Sequence, residues 1–174
     1  MRLYGVTGWK NSGKTGLMER LVAEITGRGL SVSTVKHAHH ATEIDHPGRD
    51  SHRHREAGAR EVIVASPVRW ALMHELRGAA EPPLDALLAR LSPCDLVLIE
   101  GYKRSPHPKV EAHRPETGRP LLARNTPSVR AVATTAAPDD PALAGLAVPI
   151  LSLDDTAAIA DFILREVGLI GAVA

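Results

Sequence analysis

Residues 8–15 read GWKNSGKT and match the pattern GxxxxGK[ST], a glycine-rich loop that wraps phosphate groups. Residues 2–7, RLYGVT, precede the loop as a short apolar strand. Apolar residues at helical spacing follow it, namely Leu17, Leu21, Val22 and Ile25. A strand, a glycine-rich loop and a helix in this order form the setting in which such a loop works. The sequence therefore predicts a site for a nucleoside triphosphate.

Each position of the loop has a physical role. Gly8 and Gly13 give the backbone the freedom to turn N–H groups toward phosphate oxygens. Lys14 would reach the β- and γ-phosphates, and the Thr15 hydroxyl would bind Mg²⁺. The helix that follows would point its positive N-terminal end at the anion. The predicted nucleotide-binding residues of the loop are Gly8, Lys10, Asn11, Ser12, Gly13, Lys14, Thr15 and Gly16.

Length and composition favour one intracellular domain. A chain of 174 residues buries enough surface to fold without a metal or disulfide. Cys94 is the only cysteine, which favours a reducing compartment, and we expect a cytoplasmic protein. The N-terminus shows no signal segment, and no apolar run approaches the length of a membrane span. A net charge of +1 and an aromatic content of 3% argue against nucleic-acid or membrane partners.

Strand-like and helical runs alternate along the chain, which predicts an α/β fold of the three-layer P-loop class with a mainly parallel sheet. The strand-like runs are residues 2–7, 31–36, 61–65, 69–73, 96–99, 131–134 and 148–151, and helical patterns cover residues 84–91 and 154–167. Alternating residues 109–114, a turn at 116–118 and a run at 121–123 predict an antiparallel hairpin extension over about 108–123. We expect a single nucleotide-binding domain over residues 1–174.

Glu100 ends the buried strand that begins at residue 96. A fold with a phosphate loop places its second Mg²⁺ contact at the carboxyl end of such a strand. Glu100 is therefore the predicted acidic group, acting on the metal or orienting a water toward the γ-phosphate. Lys14 and Glu100 are the predicted catalytic residues.

Residues 36–51 are too polar for a core and too long for a simple connection, so this segment is expected to have a function. In nucleotide-switch proteins the equivalent region supplies an acidic group to Mg²⁺ and basic groups to phosphate. Asp45 and Asp50 are the metal candidates, and Lys36 is the phosphate candidate. A second basic segment carries Lys103 near the predicted site, where it would contact an anion.

A histidine-rich stretch offers an alternative reading, because imidazole is a common metal ligand. Its members are His37, His39, His40, His46, His52 and His54. No cysteine lies among them, and the spacing of the pairs suits a flexible loop or exposed strand better than a closed tetrahedral site. Metal binding, contact with an anionic ligand and plain solvation are the open interpretations of this cluster.

Four segments together resemble the molybdopterin-guanine dinucleotide biosynthesis adaptor family, the MobB proteins. They are GWKNSGKT, VKHAHH at 35–40, IDHPGRDSHRHREAGA at 44–59 and DLVLIEGYKRSPHPKVEAHR at 95–114. The phosphate loop is shared by many families, whereas the DHPGRDS and EGYKRSPHPKVE segments in this order are distinctive. The resemblance covers roughly residues 1–167.

The resemblance implies a dimeric GTP-binding protein with weak GTPase activity that uses Mg²⁺. It also implies a partner, the guanylyltransferase that attaches GMP to molybdopterin, and molybdopterin itself is a further candidate ligand. Gly13, Lys14 and Thr15 would contact the GTP phosphates and Mg²⁺, with Glu100 at the acidic position. The family's dimer would pair through extended strands, which makes the hairpin after Lys109 the expected contact.

Guanine selectivity rests on this resemblance, since the chain lacks the Asn-Lys-x-Asp reader of small GTPases. Thr135 and Asp139 lie where a base would sit, but their spacing does not distinguish guanine from adenine. Two other functions are compatible with the residues. One is a small-molecule kinase with Arg49, Arg53 and Arg55 in a lid, and the other is a nickel-type metallochaperone GTPase that uses the histidines.

Overall fold

The computed structural model describes residues 1–38 and 44–171. It divides the chain into two compact units. The first consists of Met1–His37 and Leu91–Ala174 and contains the phosphate loop, and the second is Ala38–Arg90.

Strands and helices alternate as the sequence predicts. In chain order they are β1 (Arg2–Thr7), α1 (Lys14–Gly27), β2 (Val32–Lys36), α2 (Asp50–Glu56), β3 (Glu61–Ala65), β4 (Trp70–His74), α3 (Leu84–Leu88), β5 (Leu96–Glu100), β6 (Lys109–His113), β7 (Val129–Thr134), β8 (Ile150–Ser152) and α4 (Thr156–Glu166). The first unit holds a six-stranded sheet in the order β2-β5-β1-β6-β7-β8, and every pair in it is parallel. The predicted α/β class with a mainly parallel sheet is confirmed.

The two faces of this sheet follow from the alternation of side chains along its strands. One face packs against α1 and α4, with Tyr4 and Leu98 among the buried residues of the same cluster as Leu21 and Ile159. A smaller cluster holds Val132 together with Leu121 and Leu143. Strand β5 is buried at all five positions, and its first four residues form the continuous apolar run typical of a strand covered on both faces.

The predicted position of the antiparallel hairpin, residues 108–123, is wrong. Residues Lys109–His113 form β6, which pairs in parallel with β1 and β7 inside the main sheet, and the segment after it forms 3₁₀ turns at Pro115–Thr117 and Leu122–Arg124. The alternation of polar and apolar residues is misleading here because Lys109 and Glu111 are buried with internal hydrogen-bond partners. The antiparallel hairpin lies elsewhere, as β3 and β4 of the second unit.

Element ends differ from the predictions by a few residues. Helix α3 ends at Leu88, whereas the helical pattern of the sequence runs to residue 91. Helix α4 begins at Thr156, and the Asp155 side chain accepts a hydrogen bond of 2.9 Å from the Ala158 N–H, as a capping residue does. No helix in the described ranges is long and apolar enough to cross a bilayer.

The register of β6 determines what lies beside the phosphate loop. Gly5 of β1 is level with Lys109, and Thr7 is level with Glu111. Strand β6 therefore continues past the carboxyl end of β1 through His113. Arg114, the next residue, is brought to the edge of the sheet where the loop begins.

Candidate functional site

The phosphate loop begins at a position where there is no space for a side chain. Gly8 has a φ of 143°, and a Cβ placed there would lie 2.4 Å from the Ala112 carbonyl oxygen and 2.5 Å from Ser12 Oγ. Gly13 also has a positive φ, and so does Asn11, a residue type that tolerates this region. Close packing of the loop against β6 thus explains the first glycine of the motif.

The loop surrounds a concave cradle of about 360 Å³. Its lining consists of Asn11, Ser12, Gly13, Lys14, Thr15, Gly16 and Arg114. Helix α1 begins at Lys14, directly at this cradle, and no side chain caps its N-terminus. The first N–H groups of a helix have no acceptor within the helix, so this end attracts an anion.

Three predicted residues converge at the carboxyl end of β5. The Thr15 hydroxyl donates a hydrogen bond of 3.4 Å to Glu100 Oε1, and Lys36 Nζ lies 3.8 Å from the same oxygen. Glu100 is only 9% exposed. The structure therefore brings the candidate metal ligands Thr15 and Glu100 together, with Lys36 beside them.

Lys14 lies in the same cluster. Its Nζ donates a hydrogen bond of 2.6 Å to the Trp9 carbonyl oxygen of its own loop. Burial lowers the pKa of Lys14, the nearby charge of Lys103 lowers it further, and Glu100 opposes the shift. A bound anion would reverse this destabilisation of the charged form, which is the electrostatic setting expected of a phosphate-binding lysine.

Lys103 makes a cation–π contact with the indole ring of Trp9, a residue of the phosphate loop. Its Nζ lies 4.3 Å from the ring centroid, and the Arg119 guanidinium carbon lies 5.7 Å from it. The indole Nε1–H donates a hydrogen bond of 2.8 Å to the Pro120 carbonyl. Trp9 thus links the phosphate loop to the segment after β5 and to the segment after β6.

Arg114 is a site residue that sequence reasoning missed. Its Nε would lie 3.1 Å from a Cβ placed on Gly13, and it lines the cradle. A motif search cannot find it because Arg114 stands a hundred residues beyond the loop and enters through the register of β6. The signal available in the sequence was its position directly after the strand that begins at Lys109.

Two buried charged residues of β6 hold the neighbouring segments in place. Lys109 Nζ donates hydrogen bonds to the carbonyls of Ser105 (2.6 Å) and His107 (2.9 Å) and to Ser128 Oγ (3.0 Å). Burial lowers the pKa of Lys109 to about 8. The Glu111 carboxylate accepts two backbone N–H bonds of 2.9 Å each, from residues 122 and 123, and burial raises its pKa.

The loop between β5 and β6 also depends on Gly5. A Cβ at Gly5 would lie 2.7 Å from Nε2 of His107, whose ring packs over β1. Burial, with a smaller contribution from the charge of Lys109, lowers the pKa of His107 to about 4. His107 is therefore neutral at physiological pH and acts as a packing residue.

The other two metal candidates belong to the second unit. The Asp45 carboxylate accepts the His46 N–H at 2.9 Å, and its Oδ2 lies 3.7 Å from Arg55 Nε. Asp50 is the exposed first residue of α2, with Arg53 Nη1 at 3.9 Å. Their roles as metal ligands stay a prediction.

Two members of the histidine-rich stretch, His39 and His40, lie outside the described residues. Within residues 1–38 and 44–171, no group of three or more His, Cys, Asp or Glu side chains is arranged to hold a metal ion. The His37 ring stacks on the Tyr102 ring with centroids 4.6 Å apart. His37 directly follows β2, and Tyr102 lies two residues after Glu100, the last residue of β5. The stacked pair therefore lies at the carboxyl ends of these two strands, next to Glu100.

The donor set fits a magnesium-bound triphosphate. A hydroxyl and a carboxylate, the oxygen ligands that Mg²⁺ prefers, meet at Thr15 and Glu100. Ser12 Oγ is buried and makes no hydrogen bond within the described part of the chain, so it is available to a ligand oxygen. Lys14 and Arg114 both line this cradle and supply positive charge to it.

Most of the chain matches a known protein family and its members in sequence. Residues 3–135 match the family model MobB, molybdopterin guanine dinucleotide synthesis protein B. The molybdopterin-guanine dinucleotide biosynthesis adapter protein of Haemophilus influenzae is 44% identical over 68% of this chain and 67% of its own length. Its namesake from Escherichia coli K12 is 37% identical over 94% of this chain and 91% of its own length.

Solved structures agree with this result. The crystal structure of a MobB protein homolog from Bacillus stearothermophilus has a TM-score of 0.70 at 31% identity, covering 98% of this chain and 100% of its own. That of Bacillus subtilis MobB has a TM-score of 0.76 at 27% identity and covers 96% of this chain and 98% of its own. The sequence match and the shared fold together place the chain in the MobB family.

Proposed function

We propose that this protein binds GTP and Mg²⁺ at the phosphate loop and acts as an adaptor in molybdopterin-guanine dinucleotide biosynthesis. In this role it assists a guanylyltransferase that attaches GMP to molybdopterin. Membership of the MobB family supports the pathway, and the names of the relatives support the adaptor role. The sole cysteine, Cys94, supports a cytoplasmic location.

The observation that carries the GTP and Mg²⁺ proposal is the meeting of Thr15 and Glu100 beside Lys14. Thr15 Oγ1 and Glu100 Oε1 lie 3.4 Å apart, close enough to share one cation. Lys14 would neutralise the β- and γ-phosphates, and Lys36 would add positive charge at the carboxylate. Thr15 and Glu100 would hold Mg²⁺, which when bound would supply positive charge that stabilises the phosphate groups.

Calorimetry tests this proposal directly. GTP and ATP are titrated with Mg²⁺ into the full chain, and a purified guanylyltransferase partner and molybdopterin are then added in separate titrations. We expect selective GTP binding and an interaction with the partner that changes when GTP is bound. Preference for ATP without any response to the partner would favour a small-molecule kinase.

Glu100 is the residue to which we assign the hydrolytic step in a weak GTPase. Glu100→Gln keeps the shape of the side chain but removes its charge, so it should slow GTP hydrolysis by about 100-fold. GTP affinity should fall by less than about tenfold, because Lys14 and the loop backbone still hold the phosphates. Single-turnover hydrolysis and GTP titrations, each across a Mg²⁺ series, measure the two effects.

The control for this substitution is Glu116→Gln, an exposed carboxylate that does not line the triphosphate cradle. It should leave the hydrolysis rate unchanged. Equal losses of rate and affinity in Glu100→Gln would indicate a structural role for the carboxylate.

We propose further that the protein is a homodimer that pairs through β3 and β4. These strands form a two-stranded sheet and leave large apolar side chains in solvent, including Ile63 (65% exposed) and Trp70 (68% exposed). An exposed strand edge with apolar side chains is a template for pairing with a second chain. The family resemblance predicts a dimer that pairs through extended strands. The β3–β4 hairpin supports this mode of pairing, although the sequence predicted the contact in the segment after Lys109.

Trp70→Ser should convert the dimer to monomer at micromolar concentration, since a buried interface tryptophan contributes about 2 kcal/mol or more to association. Sedimentation velocity measures the change. Ile150→Ser, which removes a 45% exposed apolar residue from β8 in the first unit, is the matched control and should leave the mass unchanged. A wild-type chain that sediments as a monomer would contradict the proposal.

A further inference from the structure

A second concave surface lies beside the phosphate loop. This groove has a volume of about 650 Å³, and its lining includes Trp9, Lys10 and Asn11 of the phosphate loop and Arg114, Glu116 and Arg119 of the segment after β6. We propose that it binds a phosphate monoester of a small molecule, at a site next to the triphosphate cradle that shares Asn11 and Arg114 with it. Its volume lies in the range of small-molecule sites.

The lining of the groove carries more positive than negative charge. Lys10, Arg114 and Arg119 face the groove, against the single carboxylate of Glu116. In the described part of the chain, none of these three cations has an ion-pair partner, whereas Arg28 pairs with both Glu24 and Asp161. The lining therefore carries a net positive charge, which favours an anionic ligand.

Hydrogen bonds hold the wall of the groove that follows β6. The Arg114 carbonyl accepts two hydrogen bonds from Thr117, one from the backbone N–H at 3.1 Å and one from Oγ1 at 2.8 Å. The Trp9 indole N–H holds the Pro120 carbonyl at 2.8 Å. Further along, the buried Glu111 carboxylate holds the N–H groups of residues 122 and 123. The wall is therefore fixed at three points, and the groove does not need to be ordered by its ligand.

The chemistry of the lining favours a phosphate group. The planar guanidinium of an arginine donates two parallel hydrogen bonds to phosphate oxygens, and the groove offers two such groups, Arg114 and Arg119. Asn11 and Arg114 line both the groove and the triphosphate cradle. A phosphorylated ligand in the groove would thus lie next to the nucleotide and share Arg114 with it.

Two probes test the inference by fluorescence anisotropy, flavin mononucleotide as a phosphate monoester and riboflavin as the same ring system without phosphate. The titrations use the full chain carrying Lys14→Ala, which prevents the phosphate loop from capturing the probe, and the wild type saturated with GTP and Mg²⁺. Inorganic phosphate is added as a competitor to separate an ester site from a site for the free ion. The Lys14→Ala arm needs no nucleotide, so its result does not depend on the proposed GTP binding.

We expect flavin mononucleotide to bind at least about tenfold more tightly than riboflavin in both forms of the protein. Arg119→Gln and Lys10→Gln, made in the Lys14→Ala background, should each weaken its binding by about tenfold. Arg104→Gln, an exposed arginine outside the groove, is the matched control and should change binding by less than about twofold.

Three results would overturn the inference. The first is equal binding of the phosphorylated and unphosphorylated probes. The second is an equal loss of binding in Arg104→Gln and Arg119→Gln, which would indicate attraction by overall charge. The third is competition by inorganic phosphate at the same concentration as the ester, which would indicate a site for the free ion.

Discussion

Replacing Lys14 with alanine should raise the Kd for GTP in the presence of Mg²⁺ by about 100-fold or more. The expected size follows from the loss of two charge-assisted hydrogen bonds to phosphate oxygens, each contributing about 1.5–3 kcal/mol. Calorimetric titration of wild type and variant with GTP measures it. The effect should shrink as salt is added, because screening weakens the part of the affinity that comes from charge.

The fold should survive this substitution. Among the described residues Lys14 makes one side-chain hydrogen bond, to the Trp9 carbonyl. Burial together with the charge of Lys103 lowers its pKa, so the fold does not depend on this charged side chain. We expect the melting temperature to change by no more than a few degrees. Arg104→Ala is the control, since Arg104 is an exposed cation outside the cradle lining, and it should weaken GTP binding by less than about twofold. Unchanged affinity in Lys14→Ala would remove the phosphate loop as the nucleotide site.

The parts of the site that the sequence predicted are the local ones. The loop motif specifies its own backbone, so Gly8, Lys14 and Thr15 are assigned from eight consecutive residues. Glu100 follows almost as directly, because a buried parallel strand reads as a continuous apolar run and its carboxyl end is where a second ligand belongs.

Non-local features could not be predicted in this way. Arg114 reaches the loop because β6 is paired with β1 in a register that carries it past the end of β1, and sequence spacing does not encode that register. The same limit explains the misplaced hairpin, since polar residues at alternate positions normally face solvent. Here Lys109 and Glu111 face buried partners, which only the tertiary structure reveals.

Lys109 is the residue for which we expect the largest loss of stability. It is fully buried, at 0% exposure, and its ammonium group donates to three acceptors, the Ser105 and His107 carbonyls and Ser128 Oγ. Lys109→Met keeps the apolar stem but leaves those acceptors without a donor in a dry environment. Each unmade bond costs about 1–3 kcal/mol, partly offset by the apolar burial of methionine, so the free energy of unfolding should fall by about 2–4 kcal/mol.

The same substitution should weaken triphosphate binding, because the three hydrogen bonds of Lys109 join the segment that carries Lys103 to the start of β7. Lys103→Met separates the two consequences, since it removes the cation beside Trp9 without breaking a buried bond. We expect Lys103→Met to lower GTP affinity with little change in stability, whereas Lys109→Met lowers both. Urea unfolding and GTP titration of the two variants measure these effects, and wild-type stability in Lys109→Met would show that the buried ammonium does not hold this segment in place.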